Sequence, residues 1–203
     1  MEGSIYFLLV WIMWIVATFF MRKNNPIRTK LSIYILLSII LVPYEFQWGG
    51  VHISVELLFI LLISFYYVGN IKWNSIIYVI VCSFFTMIAY ITIELTSIID
   101  PVWLFLPKMW LRVGILLLFV VLIQKVIFKQ ILTYIIGNVL GEVVFHLILR
   151  KYGMYNEEIG NLMFLDSLML GVFSLLSFYY IKCFLIKMEQ YVLHIEKQKQ
   201  KNI

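Results

Sequence analysis

The sequence predicts an all-α integral membrane protein: a bundle of about seven transmembrane helices (six if the weakest is dropped), with the N-terminus outside and the C-terminus cytoplasmic. Three observations predict it. Of the 203 residues, 63% are apolar and only 13% are charged, against about 45–50% and about 25% in soluble domains. Mean hydropathy is +0.97, and a core of this size cannot hide so much apolar side chain from water. Third, the charges are sorted along the chain in alternating blocks. Together these exclude a soluble enzyme, a disordered chain and a nucleic-acid-binding domain. The net charge of +5 is read as membrane topology, and no nucleic-acid partner is expected.

A spanning helix needs about 20 mostly apolar residues. The windows 3–21 and 73–93 meet this without a charge. The predicted spans are 4–21, 31–44, 52–69, 74–94, 104–124, 129–149 and 161–183. The first carries Glu2 and no base ahead of it, is too long for a signal peptide and lacks a small-residue cleavage site, so it reads as a retained helix. The second is weakest, because its apolar run stops at Pro43. The fifth contains Pro107, Lys108 and Arg112, which predicts a kinked or interfacial outer end. Residues 1–183 are read as one bundle domain and 184–203 as a short basic amphipathic tail.

Charge placement supports this count. Arg22, Lys23, Arg28, Lys30, Lys72, Lys125, Lys129, Lys182, Lys187, Lys197, Lys199 and Lys201 fall inside; Lys108, Arg112, Arg150 and Lys151 fall in the outer half. Lys/Arg excess marks the cytoplasmic side. Glu189 and Glu196 are the inner acids, and the remaining acids lie outside or in the outer half. Tyr44, Phe46, Trp48, Trp73, Trp103 and Trp110 suit interfacial belts. The expected location is the cell (plasma) membrane, as a multi-pass protein, with the lipid bilayer as its first partner.

An ionisable side chain at mid-helix costs about 2.5–3.5 kcal/mol on insertion scales, so each one needs a partner, a cavity or a job. In the sixth span, Asn138, Glu142, His146 and Arg150 recur at i, i+4 and form one ridge. Gly137 and Gly141 beside it make a GxxxG notch for helix packing. Glu56, Glu94, Arg112 and Asp166 reach a similar depth from the third, fourth, fifth and seventh spans. The inner halves read as apolar. This predicts a polar pocket in the outer half, with Glu45 and His52 just beyond it. The competing reading is a structural network in which Glu142 or Asp166 pairs with Arg112 and holds the helices in register.

Other chemistries find less support. Glu142 and His146 could share a metal with Asp166 or His52, but the pattern is not HExxH, and neither a metal site nor a cofactor is assigned. There is no GxSxG elbow and no Gly-rich phosphate loop; Gly49-Gly50 reads as a turn. Cys82 and Cys183 make no disulfide framework. After the last span, Ile181, Leu185, Met188, Val192 and Ile195 step as a short heptad seam. That suits an amphipathic helix on anionic lipid headgroups at the cytoplasmic face, or contact with a second copy or a membrane-protein partner.

The opening residues 1–20, the basic Arg22-Lys-Asn-Asn-Pro-Ile-Arg loop and the Tyr44-Glu-Phe-Gln-Trp-Gly-Gly turn resemble the YphA family of small bacterial multi-pass membrane proteins. Length and overall hydropathy agree along the whole chain. The resemblance implies a cell-membrane location and adds no reaction and no site residues. A multi-helix unit ending in a short heptad helix also looks like the sensory half of some bacterial receptor kinases, although the chain stops before any kinase domain. The leading functional expectation is a non-enzymatic binding, accessory or sensory protein using the outer-half pocket. A membrane-embedded hydrolase or metal enzyme built on Glu142 and His146 is the alternative, and a small transporter the third.

Overall fold

A computed structural model describes residues 2–23, 26–48, 50–100, 106–153 and 158–201, with side chains to Tyr191 apart from that of Trp48. Among these residues seven helices run in order: α1 (Ser4–Ile15), prolonged by a π-helical turn over Val16–Phe20, α2 (Pro26–Leu41), α3 (Val55–Gly69), α4 (Trp73–Ile99), α5 (Lys108–Ile123), α6 (Ile127–Lys151) and α7 (Leu162–Lys201). A hairpin of β1 (Glu45–Trp48) and β2 (Val51–Ser54) joins α2 to α3. The surface is a coat of exposed Phe, Leu, Ile and Val, with Phe20 and Leu122 each at least 80% exposed. Such a coat is stable only in lipid.

Three helical stretches are long and apolar enough to cross a bilayer: Trp73–Ile99, Ile127–Lys151 and Leu162–Tyr191. Ser4–Phe20 and Val55–Gly69 are shorter apolar helices. α2 and α5 hold 16 residues each, about 24 Å of rise against a hydrocarbon core of about 30 Å. Helix α2 starts at Pro26 rather than at 31, because Pro at a first helical position costs no hydrogen bond. Basic residues Arg28 and Lys30 thus lie on its first turns, and Arg28 Nη2 donates to the Thr18 carbonyl at 2.8 Å, in the loosened π-helical turn.

The third helix begins later than the periodicity predicts, because Val51–Ser54 form a strand paired with Glu45–Trp48. Glu45 pairs with Ser54, Phe46 with Ile53, Gln47 with His52 and Trp48 with Val51. Gly50 takes φ 78° in the connecting turn, a left-handed conformation that glycine adopts freely; Gly49 lies outside the described residues. The loop after α6 adds to this hairpin: Ile159 N donates to the His52 carbonyl at 2.9 Å and Ser54 N to the Ile159 carbonyl at 3.0 Å. Among the described residues the β-structure consists of this hairpin and the bridge from Ile53 to Ile159. The predicted start of the fifth span at 104, Trp103 and the side chains of Val192, His194 and Ile195 lie outside the described residues. α7 continues without a break from the seventh span through residue 184 into the tail.

The core is centred on α6, whose buried residues lie on most of its circumference. α4 packs along it at the glycine notch. A Cβ built on Gly137 would stand 2.5 Å from Thr86 Cβ, and one on Gly141 2.7 Å from Tyr90 Cδ1. The absent side chains let Thr86 and the Tyr90 ring seat against the α6 backbone. Gly171 on α7 plays the same part for Tyr134, whose hydroxyl would lie 2.0 Å from an added Cβ. Overpacking of this kind costs about 1–3 kcal/mol. Gly141→Val is therefore expected to lower the thermal midpoint of the detergent-purified protein clearly. Gly114→Ala, where nothing lies within 4 Å of the added carbon, is expected to leave it unchanged or higher.

Candidate functional site

The C-terminal part of α4, the start of α5, the C-terminal half of α6 and the start of α7 meet around Arg112. The fifth helix starts right after Pro107, so Arg112 falls on its second turn and points inward, only 7% exposed. Its Nη1 donates to Glu94 Oε1 at 2.7 Å and to the Tyr90 hydroxyl at 3.1 Å, and its Nη2 to Ser167 Oγ at 2.5 Å. The guanidinium carbon also sits 5.4 Å from the Tyr90 ring centroid, a cation–π distance. Lys108, one turn earlier on α5, binds the other Glu94 oxygen at 2.6 Å. Glu94 thus carries two cations, one buried and one partly exposed.

Tyr90 links this pair to the sixth helix. Its hydroxyl donates to Glu142 Oε2 in a short hydrogen bond, so Arg112, Tyr90 and Glu142 form a continuous polar chain. His146 Nδ1 lies 2.8 Å from the Glu142 backbone carbonyl and 3.6 Å from Glu142 Oε1. A cleft of about 100 Å³ opens among Glu94, Lys108, Arg112, Glu142, His146 and Asn161. It has room for a few waters or one charged end of a small molecule. Arg112 Nε is buried without a hydrogen-bond partner.

The predicted ridge on α6 is partly realised. Asn138, Glu142 and His146 are buried and Arg150 is exposed at the outer end. Asn138 does not bond Glu142, however. Its Nδ2 donates back to the Tyr134 carbonyl at 2.7 Å, because a backbone oxygen one turn earlier is always in reach on a helix. The expected pairing of Arg112 with Glu142 or Asp166 is corrected too: Glu94 is its salt-bridge partner. Asp166 faces the other way and caps α1. Its Oδ2 accepts from Gly3 N at 2.9 Å and its Oδ1 from Tyr6 N at 2.6 Å. These amides at the head of α1 have no partner within their own helix, and no side chain of the α1 cap residue serves them.

Glu56 stands apart from the cleft, in a second polar group formed by α1, α2 and α3. The Tyr6 hydroxyl donates to Glu56 Oε1 at 3.0 Å, Ser38 Oγ donates to the same oxygen in a short bond, and the two hydroxyls lie 3.0 Å apart. At the exposed hairpin, His52 Nδ1 lies 3.2 Å from Glu45 Oε2. The Glu158 carboxyl nearby is pushed above the usual carboxylate range by partial desolvation and by the adjacent Glu45. Among the described residues no group of three His, Cys, Asp or Glu side chains gathers to hold a metal ion.

Several of these participants escape a reading of composition. Tyr90, Tyr6, Ser38 and Ser167 count as aromatic or small residues on apolar helices. The one available signal was Tyr90 at i−4 from Glu94, which places both on the same face of α4. The inner half also holds buried polar side chains, contrary to its apolar reading: Gln124 and Thr133, whose Nε2 and Oγ1 lie 3.5 Å apart, and Ser83.

Removing one partner of a buried charge pair costs about 3–5 kcal/mol, whereas replacing both by apolar side chains is often neutral. Arg112→Met is expected to lose stability of that order in detergent unfolding. The Arg112→Met, Glu94→Leu double variant is expected to recover part of it. A double variant as unstable as the single one would contradict the pairing.

The sequence profile of the family described as YphA-like integral membrane protein matches residues 2–201. The chain is also similar to the uncharacterized protein YphA of Bacillus subtilis (strain 168), 25% identical over 154 residues, which is 74% of each chain. No solved structure matches. With nearly the whole chain covered by that profile, and an apolar coat over a helical bundle beneath it, the chain belongs to the YphA-like integral membrane protein family.

Proposed function

We propose that this protein is a non-enzymatic, seven-span protein of the cell membrane, with its N-terminus outside and its C-terminus in the cytoplasm, and that it binds a small cationic or peptide ligand in the outer-half cleft. One observation carries this reading: the Arg112 guanidinium lines an open cleft that also presents Glu142, Lys108 and His146. The partly exposed Lys108 ammonium would take a carbonyl or carboxylate oxygen there. Glu142 across the same cleft would take an ammonium group. A short peptide or amino acid carries both groups at once. In the same topology, the lysines of residues 182–201 meet anionic headgroups at the cytoplasmic face. The exposed Ile181, Leu185 and Met188 seam would instead receive a second copy if the protein is a homo-oligomer.

Two measurements test the reading. Amino acids and dipeptides titrated into the detergent-purified protein are expected to raise its thermal midpoint in a saturable way, and Glu142→Gln or Lys108→Met to weaken that response about tenfold (one such contact being worth about 1.4 kcal/mol). A response of equal strength in both variants would remove the cleft from the account. For topology, a cysteine at Glu45 is expected to react with a membrane-impermeant maleimide on intact cells, and one at Lys23 only after lysis. The reverse pattern would invert the orientation.

A further inference from the structure

We propose that Glu56 is a proton-binding site: its side chain is held as the neutral carboxylic acid at neutral pH, and that proton is the ligand that lets α1, α2 and α3 close on one another at the outer face. The site is separate from the Arg112 cleft and does not depend on ligand binding there. Glu56 is fully buried. No Lys, Arg or His nitrogen lies within salt-bridge distance of it among the described residues, in contrast to Glu94 with two cations and Glu142 with His146 nearby. Among the described residues its side-chain hydrogen bonds come from the Tyr6 and Ser38 hydroxyls, and both converge on Oε1. Oε2 is buried with no hydrogen-bond partner.

That asymmetry is the signature of an acid, not of a carboxylate. A carboxylate spreads its charge over two oxygens and needs donors at both. Here one oxygen accepts twice, as a carbonyl oxygen does, while Oε2 has no partner, and a neutral O–H left unpaired there costs far less than an unpaired charge. The first turn of α3 supplies some favourable potential to a negative charge. This offsets only a small part of the cost of an unpaired charge removed from water. The facing groups add no positive charge: Tyr6 from α1, Ser38 from α2, and on the far side of Tyr6 the carboxylate of Asp166 from α7. A bound monovalent cation fits poorly, because the two hydroxyls lie 3.0 Å apart with both protons directed at Oε1 and leave no common centre for an ion.

Infrared spectroscopy of the purified protein, with glutamate labelled by carbon-13, reads the protonated carboxyl directly. At neutral pH a protonated-glutamate carbonyl band is expected in the wild type, retained in Glu142→Gln and lost in Glu56→Gln. Should Glu56→Gln fail to fold, the wild type and Glu142→Gln spectra decide between them: a band that persists without Glu142 supports the site, since Glu94 is doubly ion-paired. Absence of any protonated-glutamate band in the wild type overturns the proposal. So does a band that disappears in Glu142→Gln, or a sodium or potassium ion bound stoichiometrically to the wild type and lost from Glu56→Gln.

Discussion

A guanidinium that cannot lose its charge, set one turn and a half into a helix that faces lipid, must find counter-charge and hydrogen-bond acceptors inside the protein. Arg112 finds them on three other helices: Glu94 and Tyr90 on α4, Ser167 on α7 and, through Tyr90, Glu142 on α6. Each partner is presented only if its helix has the right rotation and depth. A single cation therefore fixes the register of four helices at one end of the bundle, with directional bonds that apolar packing alone does not supply. Lys108 shares the load on Glu94 from a partly exposed position at the cleft.

The glycines act with this pairing. Tyr90 reaches both Arg112 and Glu142 because its ring lies directly on the α6 backbone at Gly141. The second polar contact at this end of the bundle, Asp166 on the first amides of α1, draws α7 and α1 together, although they are remote in sequence. Glu56 then gathers α1, α2 and α3 through two hydroxyls. This end of the bundle is thus tied by three polar junctions of different chemistry: an ion-paired cation, a carboxylate cap and a carboxyl with neutral donors. The hairpin lies against the loop after α6 through two backbone hydrogen bonds. It joins the start of α3 to the region between α6 and α7.

Much of this was legible. The helices follow from apolar runs separated by charged turns, and Gly137 and Gly141 beside Asn138, Glu142 and His146 marked the face of α6 that the core needed. The hairpin was less visible: Glu45 to Ser54 mixes polar and apolar residues in a short stretch, and the Gly49-Gly50 turn signalled only a reversal, not the strands flanking it. The pairings were not legible at all. Arg112, Glu94, Glu142 and Asp166 could be grouped by depth, but depth leaves rotation about each helix axis open, and the rotation decides which acid meets the base.

By itself, the sequence determined that lipid is the solvent, since hydropathy is a sum over residues that no arrangement changes. It also determined the helical segments and the gathering of ionisable groups toward one end of them, because these depend on local spacing. Only the tertiary structure decided that Glu94 rather than Glu142 or Asp166 neutralises Arg112, that Asp166 serves a helix terminus, and that Glu56 stands alone with two hydroxyls. Those outcomes rest on contacts between residues far apart in the chain, where a few ångströms of helix rotation exchange one partner for another.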